Sequence, residues 1–182
     1  MHNSQTWGCK ARVALTAGLA ILSASCGEPG AVYQRPPAEI RELLRTAEVP
    51  LYMFGNSVET EAIVDGTNPI AIAWKINADD SPLMTFTAKI TPEGDSATRV
   101  TVDVEGARTG KYGDVQARLD KAGEIRALYL VSMTEALDST LDGRAFDITR
   151  TYPALIAAGT ANARMFAPPR KESSPSTSSN RR

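Results

Sequence analysis

The sequence predicts an α+β fold with an N-terminal helix, a four-stranded antiparallel meander and then two or three helices packed on one face of the sheet. Three observations support this prediction. An apolar stripe at helical spacing precedes residue 50, apolar and polar residues alternate between residues 58 and 106, and helical composition follows. The 182 residues, 42% hydrophobic and 23% charged, suffice for one globular domain with appendages. We assign that domain to residues 36–166.

The first helix is predicted within "RPPAEIRELLRTAEVP", residues 35–50. Pro36 and Pro37 suit the first helical positions, where a missing N–H costs nothing. Pro50 is expected to end the helix. The stripe expected to pack on the core consists of Ile40, Leu43, Leu44 and Ala47.

Four alternating stretches are predicted to be half-buried antiparallel strands. They read "SVETEAIV", "PIAIAWKI", "PLMTFTAKIT" and "TRVTVDVEG". The connecting sequences "DGTNP", "NADDSP" and "TPEGDSAT" are rich in turn-forming residues, which favours short hairpins. We interpret Asp79 and Asp80 as part of a solvated turn, because the ligand spacing of an EF-hand calcium loop is absent.

Helical composition returns after the strands. Residues 114–143 are predicted to be helical, with a break at Gly123 and a C-cap at Gly143. A weaker last helix is predicted to begin near Pro153. Residues 167–182 are rich in Pro, Ser and Thr, and we expect them to be disordered because they cannot bury enough apolar surface.

The start of the chain is predicted to be a signal peptide, residues 1–25. Lys10 and Arg12 precede the apolar run of residues 13–25, which ends in small residues. This run is shorter than the roughly 20 apolar residues that cross a bilayer. Residues 26–35, which contain Gly and Pro, are predicted to be a tether.

Cys26 follows the predicted signal directly. A buried thiol, half of a disulfide, a nucleophile and a lipid attachment point are the alternatives. Removal of the signal would also remove Cys9, the only other cysteine, and would leave no intramolecular disulfide partner. The stretch "SASC", residues 23–26, resembles the lipobox of bacterial lipoproteins, with Ser23 where Leu is preferred. This resemblance implies a lipid anchor at Cys26 that holds the protein at the periplasmic side of a bacterial membrane; an unmodified protein would be soluble and periplasmic or secreted.

Charge and residue content argue against several functions. Residues 26–169 contain 14 basic and 20 acidic residues, so we do not expect a general nucleic-acid-binding surface. The only histidine, His2, lies in the predicted signal, and a processed chain would have no Ser-His-Asp triad, Cys-His pair or His-based metal or haem site. "GNSVE", residues 55–59, lacks the second glycine of a nucleophile elbow. We therefore predict no catalytic residue, no cofactor and no metal.

Two sets of residues remain as weaker candidates. Asp138, Asp142 and Asp147 lie near the end of the long helix, where a carboxylate pair would suit acid–base chemistry but where Asp is also common as an end residue. The other set consists of three large apolar side chains, Trp74, Phe86 and Leu128. We expect them either to line an apolar pocket or to pack in an ordinary core.

"FTAKITPEGDSATRVTVDVEG", residues 86–106, followed by a long helix, resembles the helix-grip proteins of the START and polyketide-cyclase-like kind. The resemblance implies a curved sheet that encloses an apolar cavity with the helix. The favoured hypothesis is an exported, lipid-anchored envelope protein that acts as a non-catalytic binding or structural module. The alternatives are a helix-grip-type carrier of an apolar small molecule and, less favoured, a carboxylate-based enzyme. The carrier hypothesis predicts an enclosed cavity of several hundred cubic ångströms between sheet and helix.

Overall fold

The protein folds around an antiparallel sheet with helices on one face, which confirms the predicted α+β class. The structure is a computed structural model that describes residues 30–54 and 59–166. The strands are Ala31–Tyr33 (β1), Thr60–Asp65 (β2), Ala71–Ala78 (β3), Ser81–Pro92 (β4) and Thr98–Gly106 (β5). In space they follow the order β1-β5-β4-β3-β2.

Several predictions concern residues outside the described ranges. These are the signal peptide at 1–25, lipid attachment at Cys26, the elbow-like sequence at 55–58 and the tail at 167–182. They remain predictions.

The predicted strand count of four was wrong, because the described part of the sheet has a fifth strand. β1 lies within the segment predicted to be a tether, and it pairs with β5 through Ala31 opposite Val100 and Tyr33 opposite Thr98. Three residues are too few to display an alternating pattern, so only the pairing with β5 defines this strand. The chain therefore joins the sheet before it enters the first helix.

The meander from β2 to β5 follows the predicted alternation. The face that carries Trp74 and Phe86 is buried, whereas Lys75 and Lys89 on the opposite face are exposed. A two-residue turn, Asp79–Asp80, joins β3 to β4, and both residues have positive φ (46° and 60°). This is the backbone pattern of a tight hairpin turn, so the prediction of a turn here is confirmed.

The helices differ from the prediction mainly at their ends. They are Pro37–Leu44 (α1), Val115–Lys121 (α2), Gly123–Asp142 (α3) and Tyr152–Phe166 (α4), with 3₁₀ turns at Leu51–Phe54, Gly110–Tyr112 and Ile148–Thr151. The N-terminal helix is shorter than predicted: it ends at Leu44, and the Thr46 side chain donates to the Leu43 carbonyl just after it (2.8 Å). α3 ends at Asp142, and the φ of 64° at the following residue, Gly143, confirms the predicted C-cap.

The long helix α3 is covered on two sides. It contacts α1 and β5 on one side, and α4 packs against it. Buried residues consequently lie around much of its circumference, including Met133 and Leu137 in the main core and Ala136 and Ser132 beside them. α4 thus forms a further layer on α3 rather than packing on the sheet as predicted.

The core fills the space between the sheet and the first helical layer. Its largest fully buried side chains are Trp74, Phe86, Ile40, Leu44, Ile72, Ile76, Met133, Leu137, Leu141 and Val104. Trp74 lies opposite Phe86 on neighbouring strands. The indole N–H of Trp74 donates to the backbone carbonyl of Ala47 (3.2 Å), which ties the segment after α1 to the sheet.

Gly106 marks the close approach of β5 to α2. A Cβ at this position would lie 2.5 Å from the backbone nitrogen of Gln116, closer than real atoms pack. We expect Gly106→Ala to lower the free energy of unfolding by about 1–3 kcal/mol, because the backbone of α2 must move. Chemical denaturation measures this change. Gly123→Ala is the matched control, since a Cβ there would meet open space and would raise helix propensity; equal destabilisation by both substitutions would contradict the prediction.

Candidate functional site

An open groove of about 890 Å³ lies beside the N-terminal end of α3. Segments that are distant in sequence form it: Phe54 and Thr60, the β3–β4 hairpin, the loop after β5, α2 and the start of α3. Its floor is apolar and consists of Phe54, Leu83, Met84, Leu119, Ile125 and Tyr129. We call it the basic groove because Arg108, Lys111 and Arg118 line its mouth.

The loop that forms the mouth is fixed to the hairpin by Asp79. The Asp79 carboxylate accepts hydrogen bonds from the Lys111 ammonium (2.6 Å) and from the Tyr112 hydroxyl (2.8 Å). These hydrogen bonds lower the pKa of Asp79 and, in return, raise the pKa of Lys111. Both groups are therefore charged at neutral pH, and Asp79 neutralises Lys111.

Of the other two cations at the mouth, Arg118 is neutralised and Arg108 is not. Arg118 lies 2.5 Å from the Asp114 carboxylate, one helical turn earlier. Arg108 is exposed, and within residues 30–54 and 59–166 it has no ion-pair partner. The mouth of the basic groove therefore has one uncompensated positive charge above an apolar floor.

A second groove, of about 670 Å³, lies along β2 and the segment that follows α1. We call it the acidic groove, because its charged side chains are Glu48, Glu59, Glu61, Asp79 and Asp80. In the described part of the chain, no group of three or more His, Cys, Asp or Glu side chains is arranged to hold a metal ion. Asp79 lines the acidic groove and Lys111 lines the basic groove, so their ion pair lies between the two grooves.

The three residues predicted for an apolar pocket do not line one pocket. Trp74 and Phe86 are fully buried in the core cluster, whereas Leu128 is 7% exposed and lies outside that cluster. Phe86 lies one layer below the basic groove, in contact with Phe54 (ring centroids 6.5 Å apart) and Tyr129 (6.3 Å). Phe86, Met133 and Leu137, which lie between the sheet and α3, belong to one core cluster, whereas the two grooves open to solvent. Trp74 also lines the acidic groove.

The carboxylates predicted near the end of α3 are separate from one another. Asp138 accepts a hydrogen bond from the Tyr33 hydroxyl of β1, and burial together with this bond raises the pKa of Tyr33. Asp142 lies 3.5 Å from Arg144. Asp147 accepts from the Thr149 backbone N–H (3.0 Å) at the start of a 3₁₀ turn. These contacts are structural, and none of the three forms an acid–base pair with another.

Glu135 is a buried carboxylate that the sequence analysis did not identify. Its side chain is 3% exposed and receives two hydrogen bonds from Arg144, one from Arg150 (3.2 Å) and one from the Asp147 backbone (2.9 Å). Burial raises the pKa of Glu135, but these donors and the two positive charges outweigh burial, so the pKa lies below its ordinary value. The sequence signal for this role is weak, because Glu135 is one of four acidic residues in α3, and only the two arginines that follow the helix, Arg144 and Arg150, hint at its partners.

The shifted carboxyl groups all favour the charged form. Among the described side chains, a lowered pKa is found for Asp65, Asp79, Glu135 and Asp147. A general acid at neutral pH requires the opposite shift, a raised pKa. The geometry of these carboxylates therefore suits ion pairing and binding better than proton donation.

Comparison with known proteins gave no match to a protein-family model, a curated protein or a solved structure. The helices that the structure describes include none long and apolar enough to span a membrane. We take the basic groove as the candidate site, because it is the larger of the two grooves and has the more extensive apolar lining.

Proposed function

We propose that this chain is an exported bacterial envelope protein, anchored by lipid at Cys26, whose folded domain binds a ligand or partner without catalysing a reaction. The signal-like start of the chain and the "SASC" sequence support export and anchoring. The observation that supports binding is the basic groove, an apolar concavity with a charged mouth. The carboxylates held in ion pairs support the absence of acid–base catalysis.

The distance between anchor and domain follows from the sequence. Cys26 and Ala31, the first residue of β1, are five residues apart, a span of at most about 18 Å when fully extended. A lipid on Cys26 would hold the domain directly beside the bilayer. Lipid-derived and membrane-associated molecules would then be close to the domain.

A specific observation favours the carrier form of this proposal. The basic groove lies between the sheet and α3, the layers that enclose the cavity in helix-grip proteins, and its floor is apolar. It is open to solvent, unlike the enclosed cavity that the carrier hypothesis predicts, so a ligand bound here would leave one polar end in water. A small amphipathic molecule fits this description.

Lipid attachment is tested by metabolic labelling of bacterial cells that produce the protein with a palmitate analogue. We expect label on the wild-type protein and none on Cys26→Ala, because the thiol is the attachment point. Cys9→Ala is the matched control and should retain the label, since Cys9 lies within the predicted signal. An unlabelled wild-type protein, or a label that survives Cys26→Ala, would rule out this part of the proposal.

A further inference from the structure

We infer that the basic groove is a binding site for a single-chain amphiphile with an anionic carboxylate head, and that Arg108 binds the head. The inference rests on the carrier form of the proposed function and specifies its ligand. The apolar tail would lie on the floor formed by Leu83, Met84, Ile125 and Tyr129.

The charge balance at the mouth determines the sign of the ligand. Lys111 is neutralised by Asp79 at 2.6 Å and Arg118 by Asp114 at 2.5 Å. Arg108 is the remaining cation that lines the groove, exposed and without an ion-pair partner among the described residues. An anion gains a charge-assisted bond here without displacing an existing pair, whereas a cation meets uncompensated positive charge.

The chemistry of Arg108 favours a carboxylate head. A guanidinium presents parallel N–H donors that match the two oxygens of a carboxylate. Tyr112 already donates to Asp79 and lines the same mouth, so the polar part of the groove consists mainly of donors and cations. Asp114 is the acidic residue that lines the groove, and Arg118 compensates it.

The apolar lining of the groove favours a ligand with an apolar tail. Its apolar side chains come from the hairpin (Leu83 and Met84), from α2 (Leu119) and from α3 (Ile125 and Tyr129). Together with Phe54 they supply most of the apolar lining of the groove, whose volume of about 890 Å³ is in the range of small-molecule sites. The acidic groove, by contrast, repels an anion, because four carboxylates line it in addition to Asp79, which is paired with Lys111.

Calorimetry with three probes of equal chain length tests the inference. The probes are dodecanoate, dodecanol and dodecyltrimethylammonium, each below its aggregation concentration at pH 8. The full chain is used with Cys26→Ser and without detergent, so that the result does not depend on lipid attachment. We expect dodecanoate to bind at least about tenfold more tightly than dodecyltrimethylammonium, with dodecanol between them.

Protein variants test the contacts with the head and with the tail of the probe separately. Arg108→Gln should weaken dodecanoate binding about tenfold to a hundredfold and leave dodecanol binding unchanged, and Arg108→Lys should restore part of the loss. Leu83→Trp fills the groove and should weaken all three probes; Ile125→Trp replaces it if Leu83→Trp does not fold. Lys89→Gln removes one charge from the exposed face of the sheet and should change nothing.

Hydrogen–deuterium exchange locates the bound probe. Dodecanoate should slow exchange in residues 107–114 and at the start of α3, and should leave residues 47–51 of the acidic groove unaffected. Equal binding of anion and cation, unchanged affinity in Arg108→Gln, protection confined to residues 47–51, or no binding would each overturn the inference. Metabolic labelling at Cys26 tests anchoring separately, so failure of one experiment does not affect the other.

Discussion

Replacing Trp74 with alanine is expected to lower the free energy of unfolding by about 3–5 kcal/mol, the usual range for removing a large aromatic side chain from a core. Trp74 is fully buried and lies opposite Phe86 at the centre of the sheet. The substitution removes the apolar contacts of the indole ring and leaves a cavity that the rigid sheet cannot fill. Urea denaturation followed by circular dichroism measures the change.

Two further variants separate the contributions of Trp74. Trp74→Phe keeps an aromatic ring but loses the N–H that donates to the Ala47 carbonyl, and we expect it to cost about 1–3 kcal/mol. Ile63→Ala is the surface control: Ile63 lies on β2 and is 44% exposed, so its loss should cost less than about 1 kcal/mol. If Trp74→Ala costs no more than Ile63→Ala, the residue is not at the core of the fold.

The sheet was predictable where its strands are long and half buried. β3, β4 and β5 have eight or more residues each, and one face of each lies on the core, which imposes the period of two seen in the sequence. β1 has three residues, and its pairing with β5 depends on tertiary contacts such as that of Tyr33 with Asp138. No local pattern encodes such a contact.

Which helix packs on the sheet and which packs on another helix was also hard to predict, because this too depends on tertiary contacts. Apolar residues surround much of α3, and such a pattern indicates burial without specifying what covers each side. The apolar residues of α3 predicted helix packing on the sheet, as observed for one side of α3, but did not identify α4 as the cover of the other side. Which element covers a buried helix depends on the whole topology.

The basic groove was not predictable from single residues. Its floor and mouth come from Phe54, the β3–β4 hairpin, the loop at 107–114 and α3, and each piece alone resembles an ordinary loop or core segment. Trp74 and Phe86 were predicted as pocket residues because they are large and aromatic, and the same properties favour their burial in the core. Residues at the end of a layer, such as Leu83 and Ile125, remain partly accessible and line the opening.

Glu135→Gln is expected to lower the free energy of unfolding at neutral pH by about 2–4 kcal/mol, because a buried ion pair loses one partner. The carboxylate accepts four hydrogen bonds, two of them from Arg144. Glutamine would replace one of the carboxylate oxygens, which accept these hydrogen bonds, with an amide NH₂ group. The N–H donors of that group would face the arginine and backbone N–H donors. Arg144 and Arg150 are partly exposed and can turn to solvent, which keeps the expected loss below that of a fully buried pair.

The effect of Glu135→Gln should depend on pH in one direction. The pKa of Glu135 is lower in the folded protein than its ordinary value, so the unfolded chain binds the proton more readily. Its contribution to stability is therefore present above the ordinary pKa of glutamate and is lost as the pH falls through the folded pKa. Denaturation curves of wild type and variant should be well separated at pH 7 and should converge as the pH falls below about 4.

Double-mutant cycles distinguish this network from a general effect of charge. Arg144→Gln should cost more than Arg150→Gln, since Arg144 binds both carboxylate oxygens and is the less exposed of the two. Adding Arg144→Gln to Glu135→Gln should cost less than the two separate changes together. Glu105→Gln, on the exposed face of β5, is the matched control and should show neither the loss nor the convergence at acid pH. Additive costs for Glu135 and Arg144 would mean that each residue acts independently and that no buried ion pair joins α3 to the segment after it.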